Sequence, residues 1–395
     1  MDWDRFSFEF RLNKSFSDVL ISIEGYRRAV ERIYIPSAWK TELNRLNRIR
    51  AIHGTTAIEG NLMSEDQVRD FLERSSTDRD SEVPRSADQL QVQNAERAQE
   101  WIRARISTPR DVGLTLENLL YLHKLITEGE HSADNVSGRL RSRSVVVGSK
   151  DLGGVHVGAP HDRLHDLLRE FFDWLYSRET RERWHSVVRA FLAHFFLVTI
   201  HPFGDGNGRL SRLIEAYLLF VGGYNIHGFY GLSNFFYQNA DDYRTLLQRS
   251  RRSHPFDLTE FIEFGLRGFE NELEGINSFI QVRQNRMMYM ETLKRSHSTK
   301  KSARRYVLSN REYRFLMHLV DETNPIDPFG NRVEKRMPLV EIRSNPFIQL
   351  IYNEVSTRTF MRDIEQLREK GFVKLTPNDD NDPCISIDLS AIERY

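Results

Sequence analysis

The chain has 395 residues, with 56 basic and 56 acidic side chains, a formal net charge of zero and one cysteine. That length buries a sizeable core and accommodates more than one domain, while the balanced charge sets up no global field toward a nucleic acid or a membrane. Lone Cys384 excludes an internal disulfide and a cysteine-rich metal site, as expected in a reducing compartment.

The first residues, Met1 to Arg5, carry acids and lack the long apolar run of a signal peptide. Residues 1–110 read as a helical region. Within it, Thr55-Thr56-Ala57-Ile58-Glu59-Gly60-Asn61 closes a helix at Gly60, a favoured C-terminal residue. The next helix starts at Ser64, whose spacing to Gln67 makes a capping box. Ser75 to Ala87 is polar without an apolar period and reads as a loop. Two β-branched runs, Ser144–Val147 and Val155–Val157, flank the glycine-rich Gly148–Gly154 and read as a hairpin.

Val187 to Ile200 reads as a buried helix, with Val188, Phe191, Leu192, Phe195 and Val198 at helical spacing. Pro202 and Gly204 stop it, leaving His201 at a helix end with its imidazole free to face a cleft. Gly206-Asn207-Gly208 can bend so that successive backbone N–H groups converge on an anion. A helix starting near Arg209 would point its positive end at that anion, with Arg209 and Arg212 on one side of its first turn to clamp phosphate oxygens. Asp205 is the only carboxylate of the loop, a hard oxygen ligand that suggests Mg²⁺ beside phosphates. The most apolar stretch, Ala216 to Tyr224, is too short to span a bilayer, so a soluble cytoplasmic protein is expected.

Farther along, Asn239 and Tyr243 share a helical face. Lys294 to Arg305 holds six basic residues in twelve and no acid, the composition of a solvated linker. Glu312 to Val320 is amphipathic. Val355 to Val373 looks like the last helix of a winged helix-turn-helix: Phe360, Ile364 and Leu367 face a core, and Gly371 ends the helix and opens a wing. Ser356, Thr357, Arg358 and Arg362 would be available to a DNA groove, although Asp363, Glu365 and Glu369 oppose strong DNA binding.

His201-Pro202-Phe203-Gly204-Asp205-Gly206-Asn207-Gly208-Arg209, followed by Arg212, resembles the Fic (Fido) family signature HPFx(D/E)GNGRxxR at every specified position. The resemblance, which covers roughly the first 280 residues, implies a mainly α fold with a Fic helical core and a β-hairpin flap over residues 111–280; the residues read above add a basic helix or linker at 281–305 and a small winged-helix domain at 306–395. It implies transfer of AMP from ATP to a Tyr, Thr or Ser hydroxyl of a target protein, with His201 as general base and an imidazole near its ordinary pKa of ~6.5. Gly204, Asp205, Gly206, Asn207, Gly208, Arg209, Arg212 and Asn239 would contact the nucleotide, and Asp205 would hold Mg²⁺. Gly208 stands where phosphorylating relatives carry lysine, which favours AMP, while UMP and phosphocholine transfer stay open. Thr55, Glu59 and Gly60 match the family's inhibitory motif (S/T)xxxE(G/N), so Glu59 would pair with Arg212 in place of the terminal phosphate; removal of AMP from a protein is the alternative role. The flap would pair with an extended segment of the target. Homodimerisation, self-modification and a DNA partner for the C-terminal domain complete the expectations, with a DNA-binding regulator carrying a nucleotide-sensing Fic core as the competing class.

Overall fold

A helix that is apolar on every face must be surrounded on every face. Val187–Ile200 meets that condition, with only Arg189 falling short of full burial. The computed structural model describes residues 8–9, 11, 14–77, 84, 86–106, 113–130, 135–149, 154–224, 231–252, 255–302, 305–323, 336–353, 355–378 and 381–395. These divide into two units, Met1–Leu273 and Glu274–Tyr395.

In the first unit the chain runs β1 (Phe8–Glu9), α1 (Lys14–Arg32), α2 (Ser37–Ala57), α3 (Glu65–Thr77), α4 (Ala87–Ile106) and α5 (Leu116–Thr127). Strands β2 (Val146–Ser149) and β3 (Gly154–Val157) follow, then α6 (Leu164–Tyr176), α7 (Arg178–Arg183), α8 (Ser186–Ile200) and α9 (Asn207–Val221). Helices α10 (Ser233–Gln238) and α11 (Ala240–Ser250), strand β4 (Phe256–Asp257) and the start of α12 (Thr259–Ser298) complete it. Helices α8 and α9 form a buried pair joined by the His201–Gly206 loop, packed against α2, α4, α5, α6 and α7. Phe195, Phe256 and Phe261 meet through their rings at the far side of α8.

The hairpin is antiparallel, pairing Val146 with Val157 and Ser149 with Gly154. Its first strand starts two residues later than the β-branched run implies, although the Gly158 N–H donating to the Val145 carbonyl carries the pairing one residue farther. The capping box forms as read, with Ser64 N–H donating to Gln67 Oε1 at 2.9 Å and Gln67 N–H to Ser64 Oγ at 3.3 Å. Helix α3 continues to Thr77, into the stretch read as loop; residues 78–83 and 85 of that stretch lie outside the described residues.

In the second unit the basic run is structured rather than an open linker. It ends α12 and then enters the two-stranded ribbon of β5 (Lys300–Ser302) and β6 (Arg305–Tyr306). Helix α13 (Asn310–Glu322), strand β7 (Met337–Pro338), α14 (Leu339–Ser344), α15 (Pro346–Ile351), α16 (Thr357–Lys370), β8 (Val373–Pro377), β9 (Pro383–Ile387) and α17 (Ala391–Arg394) follow. The strands form an antiparallel sheet in the order β7-β9-β8. Phe360, Ile364 and Leu367 of α16 are buried in the core of this unit, and Gly371 ends the helix with φ 80°. Buried Asp363 takes an ion pair from Arg311 at 2.7 Å, so this acid of α16 is turned inward.

Helix α2 approaches α10 backbone to backbone at Gly54. A Cβ placed there would lie 2.6 Å from the Ser233 carbonyl and the Asn234 nitrogen. Alanine ordinarily favours a helix over glycine by about 1 kcal/mol, but here the clash must force the helices apart. Gly54→Ala should therefore lower stability by about 1–3 kcal/mol in denaturant unfolding; an unchanged or raised midpoint would contradict the close crossing.

Candidate active site

The last carbonyls of a helix lack intrahelical partners, and at the buried end of α8 side chains from elsewhere in the chain supply them. His201 leaves the helix in the left-handed region at φ 54°, a conformation costing a non-glycine residue roughly 1–2 kcal/mol. Its N–H donates to Leu197 at 3.0 Å. Arg251 Nη2 donates to the Val198 carbonyl at 3.2 Å, and His156 Nε2 donates to that of Thr199 at 2.9 Å. Buried Arg141 donates from Nε to the His201 carbonyl at 2.7 Å and from its backbone N–H to Pro202 at 3.1 Å. The same guanidinium reaches the Ala159, Ile200 and Arg143 carbonyls. The strained residue is strapped in place by groups far away in sequence.

Below it, the loop is held by a second histidine. His123 stacks on Phe203, ring centroids 3.7 Å apart and 8° from parallel. Its Nδ1 accepts the Gly138 N–H at 3.0 Å, so Nε2 carries the proton and donates to the Asp205 carbonyl, also at 3.0 Å. Burial pushes this imidazole down to about 4, which keeps it in that neutral form. Asn207 spans the loop, its Oδ1 accepting from the Phe203 N–H at 3.0 Å and its amide donating to the Phe203 carbonyl at 2.9 Å. Gly206, at φ 77°, turns the chain into α9, whose first N–H groups lie beyond the reach of intrahelical acceptors.

A cavity of about 320 Å³ opens beside this loop, a volume in the range of small-molecule sites. His201, Gly208, Arg212, Tyr243, Arg251 and Glu59 are among its lining residues. Burial, reinforced by the charges of Arg251 and Arg141 and opposed by Val198 and Glu59, brings the His201 imidazole down to about 4. The ordinary value near 6.5 expected from sequence is thus corrected by desolvation. Nδ1 faces the Val198 carbonyl at a long 3.4 Å, which leaves the lone pair on Nε2.

Arg212, 2% exposed, is held by the end of α2. Nε donates to Thr55 Oγ1 at 3.0 Å, Nη2 to the Thr55 carbonyl at 3.0 Å and to Glu59 Oε1 at 2.6 Å. Burial alone would raise the Glu59 carboxyl, but Arg212, with Arg209 and Arg244, brings it below the usual carboxylate range. Arg244 donates to the Ile58 carbonyl at 2.7 Å and fixes the turn that carries Glu59. Gly208 makes room, since a Cβ there would collide with Glu59 Oε1. Behind Arg212, the Tyr243 hydroxyl accepts its hydrogen bond and donates to His194 Nε2 at 2.8 Å, and His194 Nδ1 donates to buried Glu215 at 2.5 Å.

The two arginines read together as a clamp diverge. Arg209 pairs with Glu130 through both nitrogens, at 2.5 and 2.8 Å, and donates to the Ile126 carbonyl at 3.1 Å. With Arg212 it lines a separate small void beside Gln99, but unlike Arg212 it does not line the His201 cavity. Asn239 is also apart: its amide donates to the Phe235 carbonyl of its own helix at 2.9 Å, whereas Tyr243 reaches the cavity. Gly204 belongs to the loop and is outside the cavity lining. Asp205 is about half exposed, and its carboxylate accepts the Gly206 N–H at 2.5 Å. A lone carboxylate fits a Mg²⁺ ion that takes its other ligands from phosphates and water, and the described residues hold no cluster of three acids, histidines or cysteines for a protein-only metal cage. No described helix is long and apolar enough to cross a membrane. Arg141, His156, Arg251, His123 and Glu130 have no site role in the sequence reading, since an isolated polar residue shows no sign of which carbonyl or cation it will reach.

Comparison with known proteins bears on this geometry. A protein adenylyltransferase Fic of Drosophila willistoni is 32% identical over 207 residues, 52% of this chain and 38% of that protein. Its counterpart in Aedes aegypti is 34% identical over 178 residues, 45% of this chain and 33% of that protein. The chain thus spans well under half the length of these relatives. Among solved structures, a Fic family protein from Desulfovibrio desulfuricans aligns over 95% of this chain and 97% of its own with a TM-score of 0.53 at 19% identity. Fic-1 of C. elegans aligns over 65% and 70% with a TM-score of 0.52 at 21% identity. At these identities the likeness speaks to the fold, which is the mainly helical Fic fold with a small hairpin. Residues 113–219, from just before α5 through the His201 loop and most of α9, match the Fic/DOC family model.

Proposed function

We propose that the chain is a protein adenylyltransferase, moving AMP from ATP to a hydroxyl of a target protein, and that it rests in an inhibited state. The observation that carries this reading is the 2.6 Å contact between Glu59 and Arg212 at the edge of the cavity that holds His201. In the active arrangement Arg212 holds the terminal phosphate of ATP, and the free N–H groups at the start of α9 take the oxygens of the inner phosphates. Neutral His201 accepts the hydroxyl proton at Nε2 as the oxygen bonds to the α-phosphorus. The bond from that phosphorus to the bridging oxygen breaks in line, and pyrophosphate leaves. Mg²⁺ on Asp205 would neutralise phosphate charge. The exposed Val146, Val155 and Val157 of the hairpin offer an edge on which an extended target segment can add as a strand.

While Glu59 stays on Arg212, the terminal phosphate meets a carboxylate where it needs a cation. ATP then sits displaced, and a displacement of ~1 Å can cost about 10²-fold in rate. Glu59→Gly should raise label transfer from α-labelled ATP to protein by roughly that factor, with His201→Ala in the same background giving none. Equal labelling by wild type and Glu59→Gly, or label arriving only from γ-labelled ATP, would refute the assignment.

The depressed imidazole makes a second prediction. A base with a pKa of about 4 stays deprotonated from neutral pH down through pH 5.5, so falling pH removes none of it in that window. For Glu59→Gly, kcat/KM should stay flat from about pH 7.5 to about 5.5, whereas an ordinary imidazole would lose roughly tenfold. A tenfold decline over that window would show that burial does not tune His201.

A further inference from the structure

We propose that Arg251 is a phosphate ligand of this cavity, binding the phosphate group that lies next to His201; the proposal rests on the nucleotide-binding reading above. Burying a guanidinium is costly unless a charge or a full set of hydrogen bonds compensates it. The other buried arginines around the loop are compensated in one of these ways. Arg212 has Glu59, and Arg209 has Glu130. Arg141 saturates its guanidinium with the carbonyls of Arg143, Ala159, Ile200 and His201.

Arg251 differs from all three. It is 8% exposed, yet its bonds are only to neutral groups: Nε to Thr199 Oγ1 at 3.0 Å and Nη2 to the Val198 carbonyl at 3.2 Å. Among the described residues Nη1 makes no hydrogen bond and no carboxylate pairs with this side chain. Unlike Arg141 and Arg209, it lines the cavity. Among the charged lining residues, Arg212, Arg244 and Arg251 face one acid, Glu59, so an anion is the missing partner.

Its position selects the anion. The Val198 carbonyl is shared by Arg251 Nη2 and His201 Nδ1, at 3.2 and 3.4 Å, which sets the guanidinium beside the imidazole. Arg212, also on the lining, is held against Thr55 and Glu59. The phosphate nearest the hydroxyl that His201 deprotonates is the one attacked, so Arg251 binds the α-phosphate while Arg212 serves the terminal one. Thr199 aims the guanidinium, and Arg209, tied to Glu130, is unavailable for the task. Arg251 thereby supplies charge that remains in place when Glu59 covers Arg212.

The test is calorimetric titration of the full chain in the Glu59→Gly background with AMP, ATP and adenosine. Arg251→Gln, which can keep the bond to Thr199 but loses the charge, should weaken AMP and ATP alike by about tenfold or more and leave adenosine unchanged. Thr199→Val removes only the hydroxyl that aims the group; it should weaken AMP without affecting adenosine, and it decides the matter if the glutamine variant fails to fold. Undiminished AMP affinity in the folded variant, or equal loss for AMP and adenosine, would reduce Arg251 to a cap of α8. If the Glu59→Gly parent binds adenosine and no phosphorylated nucleotide, the proposal is overturned; if it binds none of the three, the adenylyltransferase reading fails with it.

Discussion

A buried arginine has to be answered by something, and at Arg212 the answer is Glu59. With its guanidinium 2% exposed, Arg212 keeps three bonds to the end of α2. Either an acid from this chain or an anion from outside can satisfy it, and the two cannot occupy the same place. This competition links the packing of α2 to the chemistry of the loop. It also explains why α2 must come so close: Gly54 lets its backbone lie against α10, and Gly208 leaves space for the Glu59 carboxylate. The turn between them is latched by Arg244 on Ile58 and by Asn61, whose amide donates to the Asp88 carbonyl at 2.9 Å.

The His201 loop is organised by a different constraint, the unsatisfied end of a helix. Carbonyls from Val198 to Pro202 take hydrogen bonds from Arg251, His156 and Arg141, so the left-handed turn at His201 is paid for by contacts on every side. Burial, together with the charges of Arg251 and Arg141, lowers the basicity of His201. One set of contacts thus fixes where the imidazole sits and which protonation state it holds.

What could be read from the chain follows from how local each signal is. The buried helix before His201, the capping box at Ser64, the glycine stop at Gly371 and the inward face of α16 are set by neighbouring residues, and they appear where the sequence places them. The nine-residue loop was legible for the same reason. Its supports were not: His123 and Arg141 act on the loop from far upstream, and Arg251 from downstream, each through a single carbonyl contact or a few. Arg209 and Arg212 share a helix turn, yet they pair with different acids, Glu130 and Glu59, and Arg212 alone reaches the His201 cavity, which spacing alone cannot foresee. The basic run after Lys294 has linker composition, but the helix before it and the β5–β6 ribbon take it up.

The proposed competition between Glu59 and the terminal phosphate for Arg212 is tested most directly by the ratio of ADP to ATP dissociation constants in the wild-type chain and in Glu59→Gly. With Glu59 in place the terminal phosphate gains nothing, so the wild type should bind ATP no more tightly than ADP. Freed of it, Arg212 should favour ATP by about tenfold. The same ratio in both proteins would show that Glu59 and the terminal phosphate do not compete for Arg212.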